Sequence, residues 1–352
     1  MANRFKYSAE VRAQAVALAR DTSIRKAAGR LGIPTTTISN WIAIAEDDVA
    51  RGEEPRALDV PEVSYPTFPD DDLPTEELIE IARRRNRKRL AHAASRKWYP
   101  IKVNIAGPIA VAFIGDPHVD DDGCNWDLLY RDCALLRDTE GAYAVNVGDT
   151  TNNWVGRLSR LFANQEASQE TARKFARWML ADSGVRWLTW IMGNHDLWNE
   201  GEEILRRMRT THVPMEDHQA QFDIVFPNKR HCRTWVAHQF PGNSMWNSLH
   251  GHQRAAHLKS EAHIYAAGHT HNWAIHQEES ASRDFTYWLL RARGYKFVDD
   301  FAEKLGHHQQ QEGATITAVI DPEASTGASY IQCFADLEPA MQYLTWLRGK
   351  VS

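Results

Sequence analysis

The chain has 352 residues, 43% hydrophobic and 25% charged, the balance of an ordinary globular protein rather than a fibrous or disordered one. No uncharged apolar run approaches the roughly 20 residues needed to cross a membrane, and the first residues lack the apolar centre of a secretion signal, so a cytoplasmic protein with no membrane span is expected. The four cysteines, Cys124, Cys133, Cys232 and Cys333, are scattered without CxxC spacing and read as free thiols, while the net charge of −5 averages over blocks of opposite sign.

Ser8 precedes Val11, Ala15, Leu18 and Ala19 at helical spacing and is placed to cap that helix. Ile24, Ala27, Ala28 and Leu31 form the apolar face of a second helix, Gly32 breaks it, and Ile38, Trp41 and Ile42 mark a third. This is helix-turn-helix spacing. Residues 1–51 resemble the N-terminal helix-turn-helix of transposase-like and phage DNA-binding proteins. The resemblance implies a small all-α DNA-binding domain with Thr35, Thr36, Thr37, Ser39 and Asn40 turned toward a DNA groove. A three-helix bundle that contacts protein is the alternative.

Residues 52–75 turn acidic and proline-rich, from Pro55 to Pro74 amid Glu53, Glu54, Asp59, Glu62 and Asp70 to Asp72, which predicts an extended linker. Residues 76–100 then read as a helix with acids in its first turn and six positive charges within 83–89. Such a stripe can neutralise nucleic-acid phosphates, with Arg84, Arg85 and Lys88 as the expected contacts. A solvated helix face is the alternative.

From residue 101 to 352 short β-type runs alternate with helical ones, as in an α/β domain. The runs are AVAFIG, AYAVNVG, WLTWIMG, RTWVAH, HIYAAG, ATITAVI and SYIQCFA, with helical periodicity over 125–138 and 167–181. The closing segment predicts a hairpin and a helix, completing a second sheet and its cover.

Five polar clusters follow directly on apolar runs: Asp116-Pro117-His118, Gly148-Asp149, Gly193-Asn194-His195-Asp196, His238, and Gly268-His269-Thr270-His271. Each alone is a common strand-end feature. Their ordered recurrence predicts one rim of ligands at successive strand ends. His250, His252, His257 and His263 also lie between the third and last clusters; His238 is preferred because it ends the run TWVA.

The order and spacing of these clusters resemble the calcineurin-like metallophosphoesterase superfamily over roughly residues 108–340. The resemblance implies an α/β sandwich of two mixed β-sheets flanked by helices. It implies one divalent metal on Asp116, His118, Asp149 and His271 and a second on Asp149, Asn194, His238 and His269, bridged by Asp149. Manganese is expected first, with iron or zinc as alternatives, because mixed imidazole, carboxylate and amide donors suit these ions better than magnesium or calcium. Two ions about 3.5–4 Å apart polarise phosphoryl oxygens and acidify the attacking water. His195 would stand near the leaving-group oxygen as proton donor or electrostatic stabiliser, with Asp196 orienting it.

The pattern also departs from the family. Its protein phosphatases follow the bridging aspartate with an Asp-Arg pair, whereas Thr150, Thr151, Asn152 and Asn153 follow Asp149 here. The absent phosphate-gripping arginine shifts the expectation toward phosphodiesters, with Arg157 or Arg160 as possible substitutes. Asp120, Asp121 and Asp122 read as an exposed loop, and Trp154, Trp246 and Trp273 as tryptophans beside the site rather than in the core.

The expected function is therefore metal-dependent hydrolysis of phosphodiester bonds, directed at DNA. A small-molecule phosphodiesterase acting on cyclic nucleotides and a non-catalytic DNA-binding assembly protein are the alternatives. The pairing of the two domains resembles bacteriophage-encoded proteins, which implies a host cytoplasm as the setting.

Overall fold

The computed structural model describes residues 7–50, 73–209, 212–258, 261–280, 285–297, 315–325 and 327–351. The expected linker lies outside the described residues up to position 72. The chain divides into two compact units, Met1–Leu78 and Ile79–Ser352.

In the first unit, α1 (Ala9–Asp21) is capped by Ser8, whose Oγ accepts from the Val11 amide at 3.3 Å. Ser23 caps α2 (Ile24–Leu31) in the same way, at 3.3 Å from the Lys26 amide. Gly32 ends that helix at φ 63°, the left-handed position that glycine adopts without a Cβ clash. Three residues later α3 (Thr35–Ala50) begins. Ala15, Ala27, Ile33 and Ile38 are buried together, and the small alanines allow close helix approach. On the first turns of α3, Thr35, Thr36, Ser39 and Asn40 are exposed and Thr37 is half-buried.

The basic helix, α4 (Thr75–Ser95), buries no residue. Arg84, Arg85 and Lys88 are exposed, and Glu80 pairs with Arg87 at 2.9 Å and Arg83 at 3.7 Å. The helix closes at Ser95, short of the expected residue 100. Lys97–Lys102 forms β1 instead, because the β-favouring Trp98, Tyr99 and Ile101 find a parallel partner strand, β6 (Gln219–Val225).

Two six-stranded sheets form the centre of the second unit. The first runs β12 (Ile331–Phe334), β11 (Ile316–Ile320), β2 (Ile109–Ile114), β3 (Ala142–Asn146), β4 (Trp187–Met192) and β5 (Met215–Asp217). The second runs β1, β6, β7 (His231–Ala237), β8 (Ile264–Ala267), β10 (Phe285–Arg291) and β9 (Ala274–Ser280).

Strand alternation builds the layers. Ile109, Val111 and Phe113 of β2 point between the sheets, against Val145, Phe222, Val236 and Ile264. Ala110, Ala112 and Ile114 point the other way, toward Leu129 and Leu136 of α5 (Trp126–Asp138) and Leu344 of α10 (Leu337–Val351). On the far sheet, Tyr265 and Leu289 meet Ala255 and Ala256 of α8 (His250–Leu258). The result is helix, sheet, sheet, helix: the expected sandwich of two mixed sheets.

One detail differs from the expectation. The closing hairpin, β11 with β12, pairs antiparallel on β2 and so extends the first sheet instead of completing the second. The second sheet draws on β1, β6, β9 and β10; polar residues interrupt the apolar runs of the first three, and in β6 only Ala220, Phe222 and Ile224 alternate inward.

Candidate metal centre

Strands β2, β3 and β4 are mutually parallel, as are β7 and β8, so the C-terminal ends of each set lie on one edge of its sheet. Asp116, Asp149 and Asn194 follow the first three, and His238 and His269 the last two. Cross-sheet hydrogen bonds bring the two edges together: the His269 amide donates to Asp116 Oδ2 at 2.8 Å, and His238 Nδ1 donates to the Val147 carbonyl at 2.9 Å.

Crowding at this rim dictates its backbone. A Cβ on Gly193 would lie 2.1 Å from Asp149 Oδ1, and one on Gly268 would lie 2.3 Å from Asp116 Oδ2, so only glycine fits before each ligand. Asp116, His118, Asp149, His269 and His271 all have φ between 40° and 76°, half of the ten non-glycine residues with positive φ among those described. Such strain persists where the surroundings over-determine it, and it clusters at functional sites.

Two groups result. Asp116, His118 and His271 form one and Asp149, His238 and His269 the other, each offering ligand atoms within 4.8 Å of one another. In the second, His238 Nε2 faces Asp149 Oδ2 at 3.3 Å, Asn194 Oδ1 at 3.0 Å and His269 Nδ1 at 2.9 Å. Its Nδ1 is committed to Val147, which fixes the ring and turns Nε2 inward. All seven predicted ligand residues thus meet at the rim.

The donor set fits divalent cations on two observations. Asp116 Oδ1 is buried without a hydrogen-bond partner, 3.8 Å from His271 Nε2, so a cation there would satisfy an otherwise costly orphan. Burial and neighbouring imidazoles hold His118 well below the usual histidine range and His269 down to about 4, leaving both neutral as ligation requires. Burial, only partly opposed by His238, pushes the Asp116 carboxyl up to about 8. Burial lowers His238, but the Asp149 and Asp116 carboxylates and the Val147 carbonyl together raise it to about 9, and Asp149, despite its burial, is held low chiefly by His238.

His195 lies beside this cluster. Its amide donates to Asp149 Oδ1 at 2.9 Å, and its Nε2 is 3.9 Å from Asp149 Oδ2. Nδ1 hydrogen-bonds the Asn152 carbonyl, and the ring is flanked by Trp198 at 4.1 Å and Trp154 at 5.2 Å between centroids. Asp196 does not orient it as expected. Its buried carboxylate accepts from the amides of Thr150 at 2.9 Å and Gly193 at 3.1 Å and from Thr150 Oγ1, tying the β3 and β4 loops together. Adjacent loop residues point apart here, and the Asn152 carbonyl takes the orienting role.

Asp120 also departs from its expected exposure. It is buried, accepting from the Asn152 amide at 2.7 Å and Gln165 Nε2 at 3.0 Å, while Asp121 pairs with Lys296 at 2.9 Å. The aspartates brace the loop after β3. Of the other histidines, His250 and His257 are exposed on α8, His252 is buried beneath that helix, and His263 accepts from the Arg233 amide at 3.0 Å before β8. None belongs to either ligand group.

Trp154 is buried against His195, whereas Trp246 and Trp273 are exposed. Arg157 and Arg160 point to solvent from a short 3-10 segment (Gly156–Asn164). Sequence reasoning missed Trp198 and Arg291. The second ends β10, is buried, and hydrogen-bonds Thr270 Oγ1 at 2.5 Å, bracing the last ligand loop. Its signal was the arginine closing FTYWLLR, a strand not recognised as one.

A family described as Transposase matches residues 1–62. No curated protein matches the chain. Among solved structures, the chain is similar to Haemophilus influenzae NAD nucleotidase at 10% identity and TM-score 0.36, covering 64% of this chain and 49% of that one. The chain thus spans about half the nucleotidase's length. Vacuolar protein sorting 29 from Cryptosporidium parvum is similar at 14% identity and TM-score 0.33, covering 66% and 100%. GAP50, the anchor in the inner membrane complex of Plasmodium, is similar at 10% identity and TM-score 0.33, covering 69% and 95%. At such TM-scores none of the three bears on the chemistry. Among the described residues no helix is long and apolar enough to cross a membrane.

Two outcomes are expected. Gly193→Ala forces a methyl into Asp149 and should cut bound metal to under roughly a tenth while circular dichroism keeps the native spectrum, a loss explained by the missing space; full metal content in the variant would contradict it. Asp116, raised to about 8, and His238, raised to about 9, both hold protons at neutral pH without metal. Manganese binding at pH 7 should therefore release roughly two protons and tighten as pH rises toward 9. Calorimetry in buffers of different ionisation enthalpy reads this directly; binding without proton release would exclude those protonation states.

Proposed function

We propose that the chain is a calcineurin-like metallophosphoesterase that hydrolyses phosphodiester bonds in DNA with two divalent ions. The observation that carries this reading is the pair of ligand groups on one strand-end rim with His195 beside them. Asp116, His118, Asp149 and His271 would hold one ion, and Asp149, Asn194, His238 and His269 the other, with Asp149 between them. The mixed nitrogen and oxygen donors suit manganese first, then iron or zinc. When bound, the ions supply Lewis-acid polarisation of the phosphoryl group and acidify the attacking water.

The chain's own residues do the rest. His195, fixed at Nδ1 by the Asn152 carbonyl, presents Nε2 to hold or pass a proton at the leaving oxygen. Trp154 and Trp198 shield the ring from water and restrict its rotation. Asp196 acts through the loops it ties, as a positioning residue. With Thr150, Thr151, Asn152 and Asn153 after Asp149 and no phosphate-gripping arginine among them, and Arg157 and Arg160 in solvent, the site is better matched to the single charge of a phosphodiester than to a monoester.

DNA as the substrate is supported by the transposase-type match over residues 1–62, by the exposed Thr35, Thr36, Ser39 and Asn40, and by the stripe of Arg84, Arg85 and Lys88. The N-terminal unit would raise the local concentration of substrate. A cytoplasmic setting, in a bacterial host if the chain is phage-encoded, belongs to the same reading.

The manganese-loaded chain should cleave bis-p-nitrophenyl phosphate, with Asp149→Ala at background and His195→Ala lowered about 10²–10⁴-fold in kcat while keeping its metal. Equal rates in all three proteins would sink the mechanism, and intact DNA alongside hydrolysed cyclic nucleotides would move the substrate to small molecules. Changing Arg84, Arg85 and Lys88 together to alanine should reduce the salt slope of duplex binding by about 3, near 0.9 per lost phosphate contact. Anisotropy titrations at several salt concentrations measure it; an unchanged slope would make α4 a solvated face.

A further inference from the structure

Trp246 is 91% exposed, Met245 89% and Trp273 47%, an unusual expenditure of large apolar side chains on solvent. Both tryptophans stand on loops that leave the candidate metal centre. Trp246 lies on the loop after His238, and Trp273 follows His271 by two residues. The loops are joined, Asn272 Nδ2 donating to Ser248 Oγ at 3.4 Å.

Neither loop is loosely held. Ser244 Oγ accepts from the amides of Trp246 and Asn247 at 3.3 and 3.2 Å, and Asn247 Nδ2 donates to Gln253 Oε1 at 2.7 Å on α8. On the other loop, Thr270 Oγ1 donates to Asn272 Oδ1 at 2.7 Å and is itself bonded by Arg291. The rings are therefore presented to solvent by fixed turns.

Charge narrows the occupant. In a chain with 46 acidic residues, the only one between His231 and Gln277 is Glu261. The stretch that carries both tryptophans is thus poor in the carboxylates that would repel a polyanion, and Asn243, exposed on the loop of Trp246, adds a short amide able to meet a base edge. An aromatic, carboxylate-poor stretch adjoining the candidate ligand loops matches a nucleic-acid strand, whose bases offer π-faces and whose backbone is anionic.

We propose that Trp246 and Trp273 form a stacking platform for the unpaired bases of a single strand whose phosphodiester is held at the metal centre. The inference rests on the phosphodiesterase reading above and narrows its substrate to single-stranded nucleic acid. Stacking on an indole is tolerant of base identity, so the platform fixes strandedness rather than sequence.

Two measurements test it on the full chain. The first compares p-nitrophenyl thymidine 5′-phosphate with methyl p-nitrophenyl phosphate, which has no base. In Trp246→Ala with Trp273→Ala, the ratio of the two kcat/KM values should fall at least tenfold, with Trp246→Phe and Trp273→Phe restoring most of it; an unchanged ratio overturns the platform. The second needs no turnover. A labelled twelve-residue oligothymidylate should bind at least tenfold more tightly than an abasic strand of equal length, and the margin should vanish in the double alanine variant. Equal binding of the two strands by the wild-type chain, or a margin that survives the substitutions, overturns the platform and leaves the exposed tryptophans to a protein contact. Absence of any hydrolysis with the binding margin intact would sink the phosphodiesterase reading alone.

Discussion

The buried carboxylate of Asp149 is the constraint around which the second unit is arranged. One oxygen accepts the His195 amide and the other faces His238 Nε2, while the backbone beneath is held in the left-handed region. An unpaired charge this deep would be expelled or neutralised. Here three imidazoles and an amide converge on it; its charge keeps a proton on His238, while burial dominates the protonation of the other groups. Asp116 and His238 are pushed toward their protonated forms, and His118 and His269 away from theirs.

Geometry and electrostatics here have one origin. For two sheets to bring their strand ends within hydrogen-bond reach, the chain turns sharply directly after β2, β3 and β8, with no Cβ in the way. Glycine before the ligand and a left-handed ligand residue together achieve that turn. Asp196, Asp120 and Arg291 then lock the turns from behind, each by hydrogen bonds to loop atoms. The buried polar residues around the rim are thus divided between those that face the centre and those that hold the facing ones still.

What was legible in the sequence follows from this division. The central strands β2, β3 and β4 are covered on both faces, so they read as continuous apolar runs, and the residues that follow them stand out. The strands β6 and β9 escaped because polar residues interrupt them, whereas β10, FTYWLLR, is a nearly unbroken apolar run that was legible, and with it Arg291. The roles of Asp120 and Asp196 were illegible for another reason: whether an aspartate beside a candidate ligand faces the site or braces a loop depends on partners such as the Asn152 and Thr150 amides, which only the folded loops bring near. The helix-turn-helix was readable in outline because capping serines and Gly32 mark its ends locally. The end of α4 was not, because β1 exists only through its pairing with β6, more than a hundred positions away.

Each ligand group takes members from both sheets, Asp116 and His118 with His271 in one, Asp149 with His238 and His269 in the other. The seam they span is already closed by the contact of His269 with Asp116, residues 153 positions apart. Ions held there only by the folded chain would tie the two sheets together and stabilise it by mass action, increasingly as free metal exceeds its Kd. The proposed centre would then double as the rivet of the sandwich, and the supply of the metal would govern how long the protein survives.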